Sequence, residues 1–217
     1  MKSVYLGAAV AGAMLMSAAV QADVGVGVKG GTLGTGLELT AGLTESINAR
    51  VGFNQFTYST SGTESDIDYD VDFKLQNAAA ILDWHPFKGA FRLSVGYVFN
   101  NNIIEMTGKP TGVNSFELNG NTYTLDGLDG EVAFTNGAYV GIGWGNAGKG
   151  KGFGVNFEIG AFYQGSPDFS LTARGDSLIV DDPTFKADLA REEADAQDDI
   201  AEYDWYPVVS LGISYTF

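Results

Sequence analysis

The sequence predicts an all-β fold: an eight-stranded antiparallel up-and-down barrel whose strands cross a membrane. Three observations predict it. Segments of roughly ten residues alternate apolar with small or polar side chains, as membrane strands do. Short turns alternate with long polar stretches between these segments. The chain also begins with a stretch typical of an export signal, and no apolar run long enough for a membrane helix follows it.

The first segment predicts export. Lys2 precedes an apolar stretch from Val4 to Val20, and Val20-Gln21-Ala22 fits a small-residue cleavage site. We therefore predict a signal peptide over 1–22 and an outer-membrane β-barrel domain over 23–217. An uncleaved anchor helix is the alternative, because the apolar stretch is almost long enough to span a bilayer.

The composition excludes several classes of protein. The chain has 27 Asp and Glu residues against 12 Lys and Arg, a net charge of −15, which argues against nucleic acid as a partner. Cysteine is absent, which excludes disulfides, thiolate metal sites and cysteine nucleophiles. An aromatic share of 12% does not fit a disordered chain.

The last predicted strand, near 205–217, shows the clearest alternation. One of its faces is small or polar, and the other is apolar, with Val209, Leu211, Ile213, Tyr215 and Phe217. This period-two pattern covers the length that a membrane strand needs. Tyr215 and the terminal Phe217 also resemble the C-terminal signal that the barrel-assembly machinery recognises, and we predict that they serve as that signal. A strand of a soluble β-sandwich would alternate in the same way and is the alternative.

The same alternation predicts seven more strands, near 24–31, 35–44, 47–59, 67–84, 90–105, 131–146 and 152–173. Val98 and Phe162 are exceptions, because each is an apolar residue on the polar face of its strand. Glycines on the polar faces are expected to leave room for bulky neighbours in a narrow interior. Aromatic residues near both ends of the strands predict two interfacial girdles: Trp84, Phe87, Trp144 and Phe153 at one end, and Tyr58, Phe99, Trp205 and Tyr206 at the other.

Charged residues of both signs lie on the polar faces, namely Glu38, Arg50, Arg92 and Glu158. An arginine facing lipid at mid-depth would cost roughly 2–4 kcal/mol. Inside an eight-stranded barrel the opposite charges would instead pair across a lumen that side chains fill. We therefore predict a lumen charge network, with the solvated face of a soluble sheet as the alternative.

Two acidic stretches fall in the predicted outer loops. Aspartates alternate along 66–72, which we interpret as a solvated rim, with a calcium or magnesium site as the alternative. Within 174–204, Asp182-Pro183 precedes apolar residues at helical spacing and predicts a short amphipathic helix over the barrel mouth or against its rim. A disordered acidic loop is the alternative for this stretch.

No set of residues predicts a catalytic, cofactor or metal site. His85 is the only histidine, so a catalytic triad or a multi-histidine zinc site would have at most one member. We interpret His85 as a structural residue of a turn, because Pro86 follows it. Residues 25–30 match a dinucleotide-binding glycine pattern, but they lie in a predicted strand without a following helix.

Four motifs carry a resemblance to a known family: Leu82–Phe87, Gly143–Asn146, Tyr163–Pro167 and Trp205–Gly212. They resemble a widespread family of small Gram-negative outer-membrane β-barrel proteins. The resemblance covers nearly all of the predicted mature chain. It implies the eight-stranded architecture of OmpA-, OmpX- and OmpW-like proteins, and it implies no ligand or active site.

These observations together predict a non-enzymatic barrel of the cell outer membrane with a structural or surface-interaction role. The expected partners are outer-membrane lipid, lipopolysaccharide and, during biogenesis, the barrel-assembly machinery; we expect a monomer. The alternative is a narrow channel or conduit for small molecules, hydrophobic ones included. An enzyme acting on envelope lipid would require His85.

Overall fold

A computed structural model describes residues 23–64, 66–112 and 115–217, so the predicted signal peptide lies outside the described residues. The strands are β1 Val24–Gly31, β2 Gly34–Gly42, β3 Ile47–Glu64, β4 Ile67–Trp84, β5 Phe91–Asn100, β6 Ile103–Pro110, β7 Ser115–Leu118, β8 Asn121–Thr124, β9 Gly127–Ala133, β10 Gly137–Trp144, β11 Gly152–Tyr163, β12 Asp168–Arg174 and β13 Trp205–Thr216. Two helices, α1 Ser177–Val180 and α2 Pro183–Ile200, precede β13. No helix among the described residues is long and apolar enough to cross a membrane.

Eight of these strands pair antiparallel around a closed ring, in the order β1-β2-β3-β4-β5-β10-β11-β13. The pairing of β13 with β1 closes it, with Ile213 opposite Val28. Three short connections, 43–46, 85–90 and 145–151, lie at one end of the ring, which we call the turn end. The opposite end, where the long connections emerge, is the loop end. The predicted all-β antiparallel fold is confirmed, and its sheet contains a ring of eight strands.

The ring is apolar outside and polar inside. On the outer wall, Leu37, Val155 and Leu211 are 63%, 66% and 60% exposed. In the lumen, Arg50 and Arg92 are only 4% and 3% exposed. A soluble sandwich would bury the apolar face against a second sheet. The sandwich interpretation is therefore wrong for this chain, because alternate residues of each strand place apolar side chains on the open surface.

Strands continue past the ring at the loop end as a five-stranded sheet, which we call the projecting sheet. It has the order β3-β4-β6-β9-β12 and uses the ends of β3 and β4 that lie beyond β2 and β5. The face that continues the lumen wall is its inner face, and the other is its outer face. Strands β1, β2 and β13 do not extend this far, so the projecting sheet has two edges, β3 and β12.

A hydrophobic core outside the ring, which we call the second core, lies at the loop end. It is formed by the side chains of Phe116, Leu118, Leu125 and Phe185. The β7–β8 hairpin and α2 supply most of it. Helix α2 begins at the N-cap Asp182, whose carboxylate accepts hydrogen bonds from the N–H groups of Thr184 and Phe185 at 2.8 and 3.2 Å. The predicted amphipathic helix is confirmed, and it is longer than expected at 18 residues.

Candidate functional site

The centre of the lumen holds Arg50, a β3 residue whose guanidinium contacts three carboxylates. Its Nη2 donates to Asp83 Oδ1 at 3.0 Å and its Nε pairs with Asp83 Oδ2, which forms a two-pronged ion pair across β3 and β4. Its Nη1 lies 3.0 Å from Glu38 Oε2, and its Nη2 lies 2.7 Å from Glu158 Oε2. One arginine thus joins β2, β4 and β11 across the lumen.

A second arginine completes the network two strands further around the ring. Arg92 on β5 lies 2.7 Å from Glu158 Oε2 and donates to the carbonyl of Gly145 at 3.2 Å. The hydroxyl of Tyr139 donates to the other oxygen of Glu158. At the β1 side, Lys29 Nζ lies 2.8 Å from Glu38 Oε2. We call these six charged residues the lumen network: Lys29, Glu38, Arg50, Asp83, Arg92 and Glu158.

Glycines make room for the network. A Cβ atom on Gly143 would come within 2.9 Å of the Arg92 guanidinium, and one on Gly160 would come within 2.5 Å of the Tyr139 hydroxyl. These contacts are shorter than van der Waals separation, so larger residues would displace the charged side chains. The glycines on the polar faces of β10 and β11 therefore lie under the large lumen residues, as the sequence predicts.

An apolar layer closes the lumen between the network and the loop end. It consists of Leu33, Ala79, Ile81, Val98, Tyr139, Phe162 and Val208. The cavity between this layer and the charged residues measures about 10 Å³, too little room for an ordered water file. Val98 and Phe162, the two exceptions to strand alternation, are fully buried in this layer. Their inward position explains why apolar residues occur on the polar faces of β5 and β11.

The four charged residues that the sequence singles out lie together in this network, and two of its members were missed. Lys29 and Asp83 also occupy inward positions of their strands. A signal for both was present: Asp83 stands between the outward-facing Leu82 and Trp84, and Lys29 follows the outward-facing Val28. Three cations and three carboxylates therefore face one another, and their formal charges cancel.

His85 lies in the turn after β4, buried against the turn end of the lumen. Its Nδ1 is 2.8 Å from the carbonyl oxygen of Gly89, and its Nε2 is 3.2 Å from the amide Nδ2 of Asn48. The carbonyl can only accept and the amide nitrogen can only donate. The contacts therefore fix a neutral ring with the proton on Nδ1, which fits a structural role in the turn.

We predict that His85 stays neutral at pH 7 and carries its proton on Nδ1. Burial lowers the pKa of His85 from its ordinary value of 6.5. As the pH falls, His85 becomes charged in the unfolded chain before it does so in the folded one. Its contribution to stability is therefore present above pH 6.5 and is lost as the pH falls through the lowered pKa. Nitrogen-15 NMR of the imidazole across pH 4–8 measures both properties. An Nε2-protonated ring, or a pKa at or above the ordinary value, would contradict the prediction.

The predicted assembly signal lies at the turn end of the outer wall. Tyr215 and Phe217 are 38% and 62% exposed, and their rings meet edge to face with centroids 5.1 Å apart. The backbone N–H of Phe217 donates to the carbonyl of Val24 at 3.0 Å, which holds the chain end on β1. The recognition of these two residues by an assembly machinery stays a prediction.

The aspartates of 66–72 lie on and beside the β3–β4 turn of the projecting sheet. Asp68, Asp70 and Asp72 point to its outer face, opposite Thr63, Ser61 and Ser59 of β3. Within the part of the chain that the structure describes, no group of three or more carboxylate or histidine side chains is arranged to hold a metal ion.

Comparison with known structures finds two β-barrels of Acinetobacter baumannii. The crystal structure of CarO2 superposes with a TM-score of 0.59 at 25% sequence identity and covers 90% of this chain and 99% of that one. The crystal structure of CarO gives a TM-score of 0.57 at 21% identity, over 90% and 98% of the two chains. No protein-family model and no curated protein matches the chain. These structural neighbours are Gram-negative outer-membrane β-barrel proteins of the OmpA-like type, and they suggest an outer-membrane location for this chain.

Proposed function

We propose that this chain is an outer-membrane barrel with a closed lumen, which anchors the projecting sheet and its helix at the cell surface as an interaction module without catalytic activity. The lumen network is the observation that carries the proposal. Its six charges are paired within the barrel, and an apolar layer lies above them. Opposite charges with partners at hydrogen-bond distance are costly to separate in a buried site, so they favour a rigid plug over a path for solutes.

The outer wall supports the membrane location. The paired strands β11 and β13 are each 12 residues long, enough to cross a bilayer at the usual tilt. Exposed aromatic residues lie at both ends of this wall: Trp84, Trp144 and Phe153 at the turn end, and Tyr97, Tyr163 and Trp205 at the loop end. Such residues favour the two membrane–water interfaces. Tyr206, expected in the same girdle, instead stacks on Phe162 inside the lumen.

The proposal includes the expected surroundings. The export signal over 1–22 would deliver the chain, Tyr215 and Phe217 would be recognised by the barrel-assembly machinery, and the loop end would face lipopolysaccharide outside the cell. The barrel would act as a monomer, because its ring closes without a second chain.

Planar-bilayer recording tests the closed lumen. We expect the purified barrel, shown to be folded by a heat-modifiability gel, to give no reproducible conductance. Ala79→Leu, which adds bulk to the apolar layer of the lumen without touching the lumen network, should leave this result unchanged. A conductance that is reproducible in the unaltered protein and is abolished by Ala79→Leu would establish the alternative, a narrow channel through the lumen.

A further inference from the structure

The two edges of the projecting sheet differ in how their backbone groups are satisfied. At the β12 edge, side chains of α2 accept hydrogen bonds from backbone N–H groups that have no strand partner. The N–H of Phe169 donates to Gln197 Oε1 at 2.8 Å, and the N–H of Leu171 donates to Glu193 Oε2 at 3.0 Å. A helix that covers an edge in this way prevents the addition of another strand. The β12 edge is therefore protected.

The β3 edge has no such cover. Strand β2 pairs with β3 only as far as Gln55, opposite Thr35, whereas β3 continues to Glu64. The Gln55 carbonyl accepts from the Thr35 hydroxyl, so its backbone points away from β4. By strand alternation, the backbone groups of Thr57, Ser59 and Ser61 point the same way. Among the described residues, no group hydrogen-bonds to them.

The sequence of this edge contains none of the usual protections against strand addition. Residues 56–63 read Phe-Thr-Tyr-Ser-Thr-Ser-Gly-Thr, without a charge or a proline, and all of them are exposed. Natural edges are normally interrupted by Lys, Pro, a bulge or a covering element. An uncharged, regular strand of aromatic and hydroxyl residues is instead suited to pair with another strand through its backbone.

The two faces beside the edge define the side chains that a partner strand needs. On the inner face, the rings of Phe56 and Tyr58 are 45% and 54% exposed next to the edge. On the outer face, Ser59 and Ser61 are small, and Asp72 and Asp70 stand directly behind them on β4. Adjacent strands are about 4.8 Å apart, so a Lys or Arg of an added strand reaches over the serines to these carboxylates.

Other charges on the outer face leave it acidic. Lys109 lies 3.4 Å from Asp70, and Lys74 pairs with Glu105 on β6. Asp68, Asp72 and Glu131 add three further carboxylates to the same face. A basic side chain therefore gains an attraction here that an acidic one would lose.

We propose that the β3 edge binds an extended protein segment that alternates apolar and basic residues, as an additional strand of the projecting sheet. The proposal rests on the surface-interaction function above and names the partner's chemistry. A partner from another protein fits better than a second copy of this chain. In one membrane, two copies are related by an axis along the membrane normal. Their β3 strands then run in the same direction, away from the cell, which prevents antiparallel pairing of their edges.

The test measures fluorescence anisotropy of labelled peptides with the full folded chain in detergent micelles. The probe is an alternating Val–Lys peptide of about ten residues. The controls are a Val–Lys peptide of the same composition in two blocks and an alternating Val–Glu peptide. We expect the alternating Val–Lys peptide to bind at least about tenfold more tightly than either control.

The variants separate the edge from the remaining surface. Ser59→Pro with Ser61→Pro removes two N–H groups that point away from β4 and leaves the hydrogen bonds between β3 and β4 intact. We expect it to weaken binding about tenfold or more, whereas Ser59→Thr with Ser61→Thr leaves binding unchanged. Asp70→Asn with Asp72→Asn should weaken binding of the Val–Lys peptide even if the proline variant does not fold.

Three results would overturn the proposal: equal binding of the three peptides, no effect of the aspartate substitutions, or self-association of the chain that the proline pair abolishes, because a second copy would then occupy the edge. Conductance is measured separately, so the two claims fail independently. A conducting barrel that binds the peptide would contradict the closed lumen alone, and a silent barrel that does not bind it would contradict the edge alone.

Discussion

Replacing Arg50 by Met is expected to lower the free energy of unfolding by about 3–5 kcal/mol. Arg50 is 4% exposed and lies within hydrogen-bond distance of Asp83, Glu38 and Glu158. Without the guanidinium, Asp83 loses its two-pronged partner, and Glu38 and Glu158 each keep only one cation, Lys29 and Arg92. The cost arises mainly from this loss of compensating charge and only partly from lost packing, because Met fills much of the same volume.

Urea titration of the folded barrel in lipid vesicles measures the effect of Arg50→Met. The matched control is Arg174→Met, which breaks the exposed ion pair of Arg174 with Asp129 in the projecting sheet, where the Arg174 side chain is 47% exposed. That change should cost less than about 1 kcal/mol. Equal losses in the two variants would show that the lumen network is not coupled to the stability of the ring.

A double variant identifies the cause. Adding Asp83→Asn to Arg50→Met removes the carboxylate that forms the two-pronged pair with Arg50. If unpaired charge causes the loss, the double variant should be more stable than Arg50→Met alone. If the double variant is less stable than the unaltered protein by the sum of the two single effects, packing is the cause and the electrostatic interpretation is wrong.

The ring was predictable from sequence because its chemistry is local. Each membrane strand must present apolar residues to one side and polar residues to the other, so the alternation in β13 or β11 is visible in that segment alone. The inward position of Arg50 follows from its neighbours Ala49 and Val51 in the same way. Val98 and Phe162 break this rule, and only the structure explains them, because both pack in the apolar layer of the lumen.

The projecting sheet was not predictable in the same way. The sequence predicts single long strands over 90–105, 131–146 and 152–173, but each is interrupted where it leaves the ring, between β5 and β6, β9 and β10, and β11 and β12. Beyond the ring, β6, β9 and β12 form a sheet with β4, and none of them pairs with β13. Which strands pair there depends on contacts far apart in sequence, and alternation carries no information about them. The same limit applies to Tyr58, expected at an interfacial girdle but located on the inner face opposite Phe73.

Replacing Phe185 by Ala is expected to release α2 from the projecting sheet while the ring stays folded. Phe185 is 1% exposed and packs edge to face on Tyr123 at a centroid distance of 4.9 Å. Loss of a buried phenylalanine costs about 3–5 kcal/mol. The second core is small, so this loss is comparable with its whole local stability. The ring does not share these contacts and should keep its heat-modifiability.

Hydrogen exchange and limited proteolysis measure the release. Amides of α2 and the connection over 174–204 should exchange and be cleaved faster in Phe185→Ala than in Leu178→Ala, a control on α1 whose side chain is 84% exposed. The N–H groups of Phe169 and Leu171 should also lose protection, since α2 supplies their acceptors. Equal exchange in the two variants would show that Phe185 does not hold the helix.

Acid should have the same effect as Phe185→Ala through Asp188, which lies one turn further along α2. Its carboxylate accepts hydrogen bonds from Tyr123, Asn119 and Asn121, and these bonds lower the pKa of Asp188 below its ordinary 3.8. The stability that these bonds give to docking is therefore present at neutral pH and is lost as the pH falls through the lowered pKa. Release of α2 would leave both edges of the projecting sheet open. If α2 stays docked both in Phe185→Ala and in acid, its contacts with the β12 edge alone hold it. Edge protection, and not the second core, would then fix the position of α2.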